Sequence, residues 1–513
     1  EIITLSPVFS AQAWQALPDF KTCVRYVDEK LVPIKEALDK VDDKAFVEKE
    51  KKIWKKGLAS HYFSYANTKQ KAGVDMDLGG NAYGKNLRQA LKEKLIGMQD
   101  IDRAVANILR LKFRMGLFEN PYVSPEKAGR TVRSRAHKEL ARQVARKGVV
   151  LLKNEGILPL SKQLKSIAVI GPNADNMYNQ LGDYTAPQER KEITTVLDGI
   201  RNTVSASTQV TYVKGCAIRD TTAHHIPAAV EAAQKADAVV LVVGGSSARD
   251  FKTKYIETGA ATVTQEENQQ LSDMECGEGY DRSTLKLLGY QEKLMEAITS
   301  TGKPVIVIYI QGRPLNMNLA AEKAQALLTA WYPGEQGGAA IADVLFGDYN
   351  PAGRLPVSIP RSEGQLPLFY SQGEQRSYVE EAGTPLYAFG YGLSYTQFDY
   401  SHLKLEKGNS PDILQKVSCT ITNIGDRDGE EVVQLYICDK VASVSQAPIL
   451  LKGFRRIFLK KGESKQVTFT LGKEELSLYN MEMKQVVEPG EFKVMVGTAS
   501  NDIRLDGEFT LTP

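Results

Sequence analysis

Residues 161–365 combine two hydrophobic patterns in alternation. Short runs that are apolar at nearly every position predict strands buried on both faces, and the amphipathic stretches between them predict helices. The predicted strands are 166–171, 238–244, 304–310 and 326–331, and the predicted helices are 226–236, 285–300 and 337–346. Strands and helices in alternation indicate an open α/β sheet with helices on both sides.

From Phe398 to the C-terminus, apolar positions instead alternate with polar ones. The predicted strands are 416–423, 431–437, 465–471, 491–497 and 503–511. Short alternating strands separated by turns are typical of a β-sandwich of the immunoglobulin or fibronectin type III kind. Residues 351–395, between the two regions, are rich in proline, glycine, serine and aromatic residues, and they predict a linker with turns rather than a core.

The N-terminal region has helical periodicity but no alternation of strand and helix. Residues 28–58 predict a charged helix. Asp100 is expected to cap a second helix that ends at Gly116 and has Val105, Ile108, Leu109 and Leu111 on its apolar stripe. This region is therefore expected to be the end of a larger domain. After a connector at 118–134, residues 134–146 predict a helix and 148–152 a strand.

Composition limits the class of protein. At 513 residues the chain is expected to form about three domains. Its 42% hydrophobic and 25% charged residues fit an ordinary globular protein, and the net charge of +3 is spread along the chain. Nothing in this pattern indicates binding to nucleic acid or to an anionic membrane, and no apolar run is long enough to span a bilayer. No secretory signal is visible at Glu1.

The cysteines form no metal or disulfide pattern. They are five in number and widely spaced: Cys23, Cys216, Cys276, Cys419 and Cys438. Cys276 could be read as a nucleophile, but no histidine lies near it in sequence to activate it. A small buried thiol is the preferred interpretation.

The loops that follow the predicted strands are the expected place for a ligand, because ligands of α/β sheets bind outside the carboxyl ends of the strands. These loops are 171–173, 244–247 and 311–313, and the long loop after strand 238–244 carries residues 274–282. The glycines of 171–173 lack the spacing of a dinucleotide fingerprint, and the chain contains no P-loop motif. Tight turns explain these glycines better than a nucleotide does.

Glu278 is the candidate catalytic residue in the long loop. Gly277 and Gly279 flank it, so the backbone can hold its carboxyl group out on a turn. A loop carboxyl close to Tyr280 and Arg282 is the kind of group that donates a proton in glycosidic cleavage. On composition alone, a solvated acidic loop is the simpler interpretation.

Several motifs, taken in order, resemble those of the family 3 glycoside hydrolases, which are retaining β-glucosidases and β-xylosidases. They are AGVDMD at 72–77, DIDRAV at 100–105, GLFENPY at 116–122, VVLLKNEGILPL at 149–160, WYPG at 331–334, ADVLFGDYNPAGRLP at 342–356 and FGYGLSY at 389–395. The resemblance implies an α/β plus all-β protein: remnant helices of a (β/α) barrel, an open α/β sandwich and a fibronectin type III-like β-sandwich. The expected domains are 1–117, the barrel remnant; 118–160, a linker with a helix; 161–365, the α/β sandwich; 366–397, a linker; and 398–513, the β-sandwich.

The resemblance also implies roles for individual residues. The segment 277–282 matches the family's acid/base motif, so Glu278 is expected to be the general acid/base. Glu275 is the alternative, because loops of this kind vary in length. Asp183, Tyr184 and Arg282 are the expected substrate-binding residues, and Arg282 is expected to pair with Asp281 or with an acid at the rim of the sheet.

The family's nucleophile motif, an aspartate after serine and before tryptophan or glycine, does not occur in residues 1–71. The aspartates there, at positions 19, 28, 39, 42 and 43, have polar or helical surroundings, and packing or supporting roles suit Asp75 and Asp77 better than attack. The chain is therefore expected to be the C-terminal part of a retaining exo-acting β-glycosidase and to have negligible activity alone. The alternative is a non-catalytic scaffold that contacts carbohydrate or another partner.

The remaining expectations concern partners and location. An oligosaccharide or β-glycoside is the expected substrate, and the mechanism requires neither a metal nor an organic cofactor. The resemblance favours a periplasmic or secreted protein and allows a homodimer. Specificity for a glucoside, a xyloside or an arabinoside is left open.

Overall fold

The computed structural model describes residues 74–77, 82–248, 273–277, 281–373, 377–410 and 412–512. A boundary between Val132 and Arg133 divides the chain into two compact units. Within the described ranges, no helix combines the length and the apolar character that crossing a membrane requires.

The first unit contributes three described helices: α1 (Ala82–Lys92), α2 (Met98–Arg114) and α3 (Pro125–Thr131). The prediction that Asp100 caps α2 is wrong. Gly97 is the N-cap, and Asp100, three residues later, accepts the Gly97 N–H at 2.9 Å. A carboxylate that reaches back to the first free N–H stabilises the helix start as a cap would, so sequence alone misplaced the start by one turn. The helix predicted at 28–58 lies outside the described residues.

The second unit begins with α4 (Arg135–Gly148), which Ser134 caps, and continues into a six-stranded sheet. The strands are β1 (Val150–Asn154), β2 (Ser166–Ile170), β3 (Gln209–Val213), β4 (Ala238–Gly244), β5 (Val305–Ile310) and β6 (Ala326–Trp331). Their order is β1-β6-β5-β4-β2-β3, and all neighbours are parallel except β1 and β6. The four predicted strands are confirmed. Edge strand β3 was missed because it is only partly buried and lacks a continuous apolar run.

Helices cover both faces of this sheet, as predicted. They are α5 (Met177–Leu181), α6 (Val196–Thr203), α7 (Ile226–Lys235), α8 (Gln291–Thr299), α9 (Asn318–Lys323) and α10 (Gly337–Leu345). Alternate β4 residues enter different cores: Leu241 packs in the cluster that contains residues of α7, α8 and α9, and Val240 in the cluster with α6 and α10. Short 3₁₀ turns occur at Arg190–Glu192 and Glu363–Gln365.

Helix α8 is shorter than the predicted helix 285–300. Leu285 donates its N–H to the Glu363 carboxylate and accepts the Asn316 N–H at 2.8 Å, so its backbone is bonded to other segments. The helix begins only at Gln291, whose side-chain oxygen accepts the Gly244 N–H at 2.9 Å. Tertiary partners therefore set the start of this helix.

The C-terminal part of the second unit is a β-sandwich. Its elements are β7 (Phe398–Ser410), β8 (Ile413–Asn423), β9 (Gly429–Asp439), β10 (Leu450–Leu459), β11 (Ser464–Leu471), α11 (Lys473–Leu476), β12 (Leu478–Tyr479), β13 (Gln485–Val486), β14 (Gly490–Ala499) and β15 (Asp502–Leu511). Two sheets, β10-β9-β14-β15 and β11-β8-β7, share one core that includes Cys419 of β8 and Leu435 of β9. The predicted alternating strands are confirmed, but β7, β10 and the two-residue strands β12 and β13 were missed.

Residues 351–395 contain the predicted turns but also contribute to the core. Leu355 and Ile359 are buried in the cluster on the α7 side of the six-stranded sheet. Farther along, the Leu393 N–H donates to the Leu151 carbonyl at 2.8 Å. The prediction of a linker without core residues is therefore wrong, because a composition rich in turn formers does not show which apolar side chains dock elsewhere.

Candidate functional site

The loops after β2, β4 and β5 meet at one edge of the six-stranded sheet, as predicted. The buried Asn173 side chain donates to the Gly245 carbonyl at 3.2 Å and to the Ile310 carbonyl at 3.4 Å. Asn179 donates to Asn173 Oδ1 at 2.8 Å and accepts the Ser246 hydroxyl at 2.7 Å. A buried polar network thus joins the carboxyl ends of the parallel strands. Such a network is rigid when its groups have hydrogen-bond partners, as these side chains do.

The end of the long β4 loop packs on this polar network. The Glu275 N–H donates to the Ser246 carbonyl at 2.9 Å, and Asp273 Oδ1 accepts the Ile218 N–H at 3.1 Å. Arg219 donates from its guanidinium to the Met274 carbonyl at 2.7 Å. Residues 273–275 are therefore held by both the β4 loop and the segment after β3.

A buried ion pair joins Glu275 to Arg282. Arg282 Nη1 donates to Glu275 Oε2, the two side chains are 4% and 1% exposed, and Arg282 Nη2 donates to the Lys286 carbonyl. Residue 245 must be small, because a Cβ on Gly245 would lie 2.1 Å from Glu275 Oε1. Burial raises the pKa of the Glu275 carboxyl, while Arg282, Arg313 and Arg219 oppose that rise. The expectation that Arg282 pairs with an acid at the sheet rim is confirmed, and that acid is Glu275.

Asp281 makes a second, more exposed ion pair. Its carboxylate lies 2.6 Å from Arg313 Nη1, in the loop after β5, and it also accepts the Arg282 N–H at 2.7 Å. The backbone hydrogen bond from Arg282 and the contact with Arg313 lower the pKa of the Asp281 carboxyl. The chain is thus attached to the rim on the C-terminal side of Glu278 as well.

Cys276 is a buried thiol at the same edge. Its sulfur lies 3.8 Å from the Ser246 carbonyl oxygen and 3.9 Å from the Tyr332 hydroxyl. Burial raises the pKa of this thiol, which disfavours the thiolate that a nucleophile needs. The environment fits the interpretation of a packing residue. The four described cysteines are free thiols, and Cys23 lies outside the described residues.

Asp183 and Tyr184 lie at the same rim, after α5. The Asp183 N–H donates to Ser247 Oγ at 3.0 Å, and a Cβ on Gly277 would lie 3.1 Å from Asp183 Oδ2. Tyr184 has a φ of 59° and is 73% exposed, and its N–H donates to Asp183 Oδ1 at 2.7 Å. A non-glycine residue in this backbone region carries strain that functional sites often hold. The structure therefore brings Asp183 next to the segment that leads to Glu278.

Glu278 itself lies outside the described residues, as do Gly279 and Tyr280. Of the two candidate acids, the described one, Glu275, is buried in its pair with Arg282 rather than open to a ligand. Ser247, Arg313 and Tyr332 are rim residues to which sequence reasoning gave no role. Their positions directly after β4, β5 and β6 were a signal that could have identified them. Within the described part of the chain, no group of three or more His, Cys, Asp or Glu residues could hold a metal.

Two family models match the chain. The glycosyl hydrolase family 3 C-terminal domain matches residues 149–395, and the fibronectin type III-like domain matches residues 431–500. A β-xylosidase of Formosa agariphila is 41% identical over 458 residues, which cover 84% of this chain and 59% of the relative. A periplasmic β-glucosidase of Salmonella typhimurium is 36% identical over 504 residues, covering 90% of this chain and 62% of the relative.

Solved structures agree with these matches. A β-glucosidase from Erythrobacter marinus has a TM-score of 0.73 and 36% identity, covering 88% of this chain and 60% of that one. A β-glucosidase from Listeria innocua in complex with glucose has a TM-score of 0.72 and 32% identity, covering 87% of this chain and 59% of that one. The chain spans about three fifths of the length of these relatives. It belongs to glycosyl hydrolase family 3 and carries that family's C-terminal domain followed by a fibronectin type III-like domain.

Proposed function

We propose that the chain is the C-terminal part of a retaining, exo-acting β-glycosidase that removes terminal β-glucosyl or β-xylosyl residues, with Glu278 as the general acid/base. One observation carries the proposal: the chain is fastened to the carboxyl edge of the sheet on both sides of Glu278. Before it, Glu275 binds Ser246; after it, Arg282 binds Glu275 and Asp281 binds Arg313. The relatives named β-xylosidase and β-glucosidase supply the reaction class.

The reaction would be a double displacement. A carboxylate attacks the anomeric carbon while Glu278 protonates the departing glycosidic oxygen, and the deprotonated Glu278 then activates the water that releases the sugar. Retention requires the two carboxyls to lie about 5–5.5 Å apart. To be protonated near neutral pH, Glu278 needs a raised pKa, which partial burial or the charge of the nucleophile would provide.

The nucleophile and most sugar contacts belong, in this proposal, to a catalytic (β/α) barrel of which α1 and α2 are the last helices. The present chain contributes Asp183 and Tyr184 as residues that line the site. Arg282 supports the site from within, because its guanidinium is occupied by Glu275 and the Lys286 carbonyl. A homodimer is the proposed assembly, which sedimentation velocity on the complete protein would test.

The decisive experiment uses the complete protein and Glu278→Gln. Loss of the acid should lower kcat/KM for phenyl β-glucoside or β-xyloside by about 100-fold or more. The loss should be far smaller for the 2,4-dinitrophenyl glycoside, whose leaving group needs no proton. With the 2,4-dinitrophenyl glycoside, azide should restore turnover and form the β-glycosyl azide, because azide attacks the glycosyl-enzyme without a general base. Glu322→Gln, which changes an exposed acid on α9, is the matched control and should behave as wild type.

Two outcomes would contradict this function. Equal activity of Glu278→Gln and wild type on the phenyl glycoside would remove Glu278 from the mechanism. Robust hydrolysis by the 513-residue chain alone would show that it contains its own nucleophile. Carbohydrate binding by the complete protein with no turnover of any aryl glycoside would instead support the non-catalytic scaffold.

A further inference from the structure

The buried pair of Glu275 and Arg282 brackets the proposed acid/base in sequence, three residues before Glu278 and four after it. We infer that this pair positions the acid/base. It joins the two ends of the segment 276–281 and so determines where that segment leaves the sheet. The inference rests on the proposed function and extends it to two residues that do not themselves touch the substrate.

Both partners also bind other segments of the described chain. The Glu275 backbone is bonded to the Ser246 carbonyl, and its carboxylate lies against Gly245, where a Cβ would leave no space for it. The second terminal nitrogen of Arg282, Nη2, donates a hydrogen bond to the Lys286 carbonyl. Glu275 precedes the segment 276–281 and Arg282 follows it, so their ion pair joins the two ends of that segment. Because the Glu275 N–H also binds the Ser246 carbonyl, the pair holds both ends at the β4 loop.

Burial makes the loss of one partner more damaging in this pair than in its neighbour. The Glu275 and Arg282 side chains are 1% and 4% exposed, whereas those of Asp281 and Arg313 are 70% and 26% exposed. Water and salt screen an exposed pair, so its contribution is small. Removing one partner of a buried pair leaves an uncompensated charge in a poorly solvated place, which forces the surroundings to move. The buried pair, and not the exposed one, should therefore determine the position of the segment.

A misplaced acid has a specific kinetic signature. Protonation of the leaving oxygen depends steeply on the distance between the acid and that oxygen, whereas attack on an activated substrate does not need the acid. Disturbing the pair should therefore slow substrates with poor leaving groups and spare those with good ones. General loosening of the fold would slow both.

The test measures kcat/KM of the complete protein for phenyl and 2,4-dinitrophenyl glycosides of the same sugar. The variants are Glu275→Gln, Arg282→Met, the double variant, Arg282→Lys and, as the control for an exposed ion pair away from the site, Glu231→Gln, which removes the partner of Lys235 on α7. We expect each of the first two to lose about tenfold or more on the phenyl glycoside and less than about twofold on the dinitrophenyl glycoside. Arg282→Lys, which keeps the cation, should recover part of the loss, and Glu231→Gln should lose less than about twofold on either substrate.

Thermal unfolding and circular dichroism would establish that each variant is folded. If the single variants fail to fold, the double variant decides, because it leaves no unpaired buried charge. In it, a loss confined to the phenyl glycoside supports positioning, and wild-type kinetics overturn it.

Glu278→Gln separates the two hypotheses. If it shows no dependence on the leaving group, the proposed function fails. If it shows that dependence while Glu275→Gln and Arg282→Met lose equally on both substrates, or not at all, the positioning role alone is refuted.

Discussion

Arg354 Nη2 lies 2.8 Å from Glu431 Oε2, and the two side chains are 9% and 2% exposed. Arg354 follows α10 of the α/β part, and Glu431 belongs to β9 of the β-sandwich. Tyr400 completes the arrangement by donating its hydroxyl to Glu431 Oε1 at 2.8 Å. The two parts of the second unit are therefore joined by a buried, hydrogen-bonded charge pair rather than by a flexible linker.

Arg354→Met should lower the free energy of unfolding of the second unit by about 3–5 kcal/mol, because it leaves the Glu431 carboxylate buried without its cation. Urea denaturation followed by circular dichroism would measure this. The control is Lys484→Met, which removes the partner of Glu482 in an exposed pair and should cost less than about 1 kcal/mol. Equal effects of the two substitutions would show that the Arg354 pair is not structurally important.

Gly338→Ala should prevent α10 from packing closely on the segment that starts α6. A Cβ at position 338 would lie 1.8 Å from the Thr195 carbonyl oxygen, which is backbone and cannot rotate away. We expect a loss of about 3 kcal/mol or more in the free energy of unfolding. Gly148→Ala is the control: nothing lies within 4 Å of its Cβ at the end of α4, so it should be neutral or stabilising by up to about 1 kcal/mol.

Glu363 should contribute a pH-dependent part of the stability. The Thr284 hydroxyl, at 2.6 Å, and the Leu285 N–H both donate to its carboxylate, and they lower its pKa in the folded chain. Because the folded pKa is below the unfolded value of about 4.3, the stabilisation is complete above that pH and is lost as pH falls through the folded pKa. The difference in free energy of unfolding between wild type and Glu363→Gln should therefore be largest near neutral pH and shrink below about pH 4.

Urea denaturation between pH 3 and pH 7 would measure this difference. Thr284→Val removes the main cause of the lowered pKa, so in its background the dependence on pH should weaken. A difference that stays constant down to pH 3 would contradict the assignment.

Tyr184→Asn should separate substrate binding from stability. Asparagine tolerates the left-handed backbone of this position better than tyrosine, so the free energy of unfolding should stay constant or rise by up to about 1 kcal/mol. If the exposed ring contacts the sugar in the complete protein, KM for the β-glycoside should rise by about tenfold. Tyr184→Phe, which keeps the ring, is the control and should preserve KM. An unchanged KM in Tyr184→Asn would exclude a role in binding.

Much of the architecture was predictable because the burial of strands leaves a direct trace in sequence. The strand β4 is apolar at every position, since it is covered on both faces, and β8 alternates, since one of its faces is turned away from the core. The edge strand of the sheet and the exact start of a helix were less predictable. The strand β3 is partly exposed. The start of α8 depends on Leu285, whose N–H donates to Glu363 and whose carbonyl accepts from Asn316, and both partners lie far away in sequence.

The candidate site shows the same division. Sequence placed the β2, β4 and β5 loops at one edge, because the carboxyl ends of parallel strands must meet there. It also predicted that Arg282 would bind an acid, but it left Asp281 and a rim acid as alternatives. Only the structure assigns Glu275 to Arg282 and Asp281 to Arg313.

The sequence by itself determined the order of the two domain types, the family and the loop that carries the candidate acid, because these depend on local periodicity and on short motifs. The tertiary structure decided the partners: which charge is buried against which, and which backbone leaves space for it. Pairing of this kind depends on distances between segments far apart in the chain. Gly245 illustrates the point, since its need to be small comes entirely from a carboxylate thirty residues later.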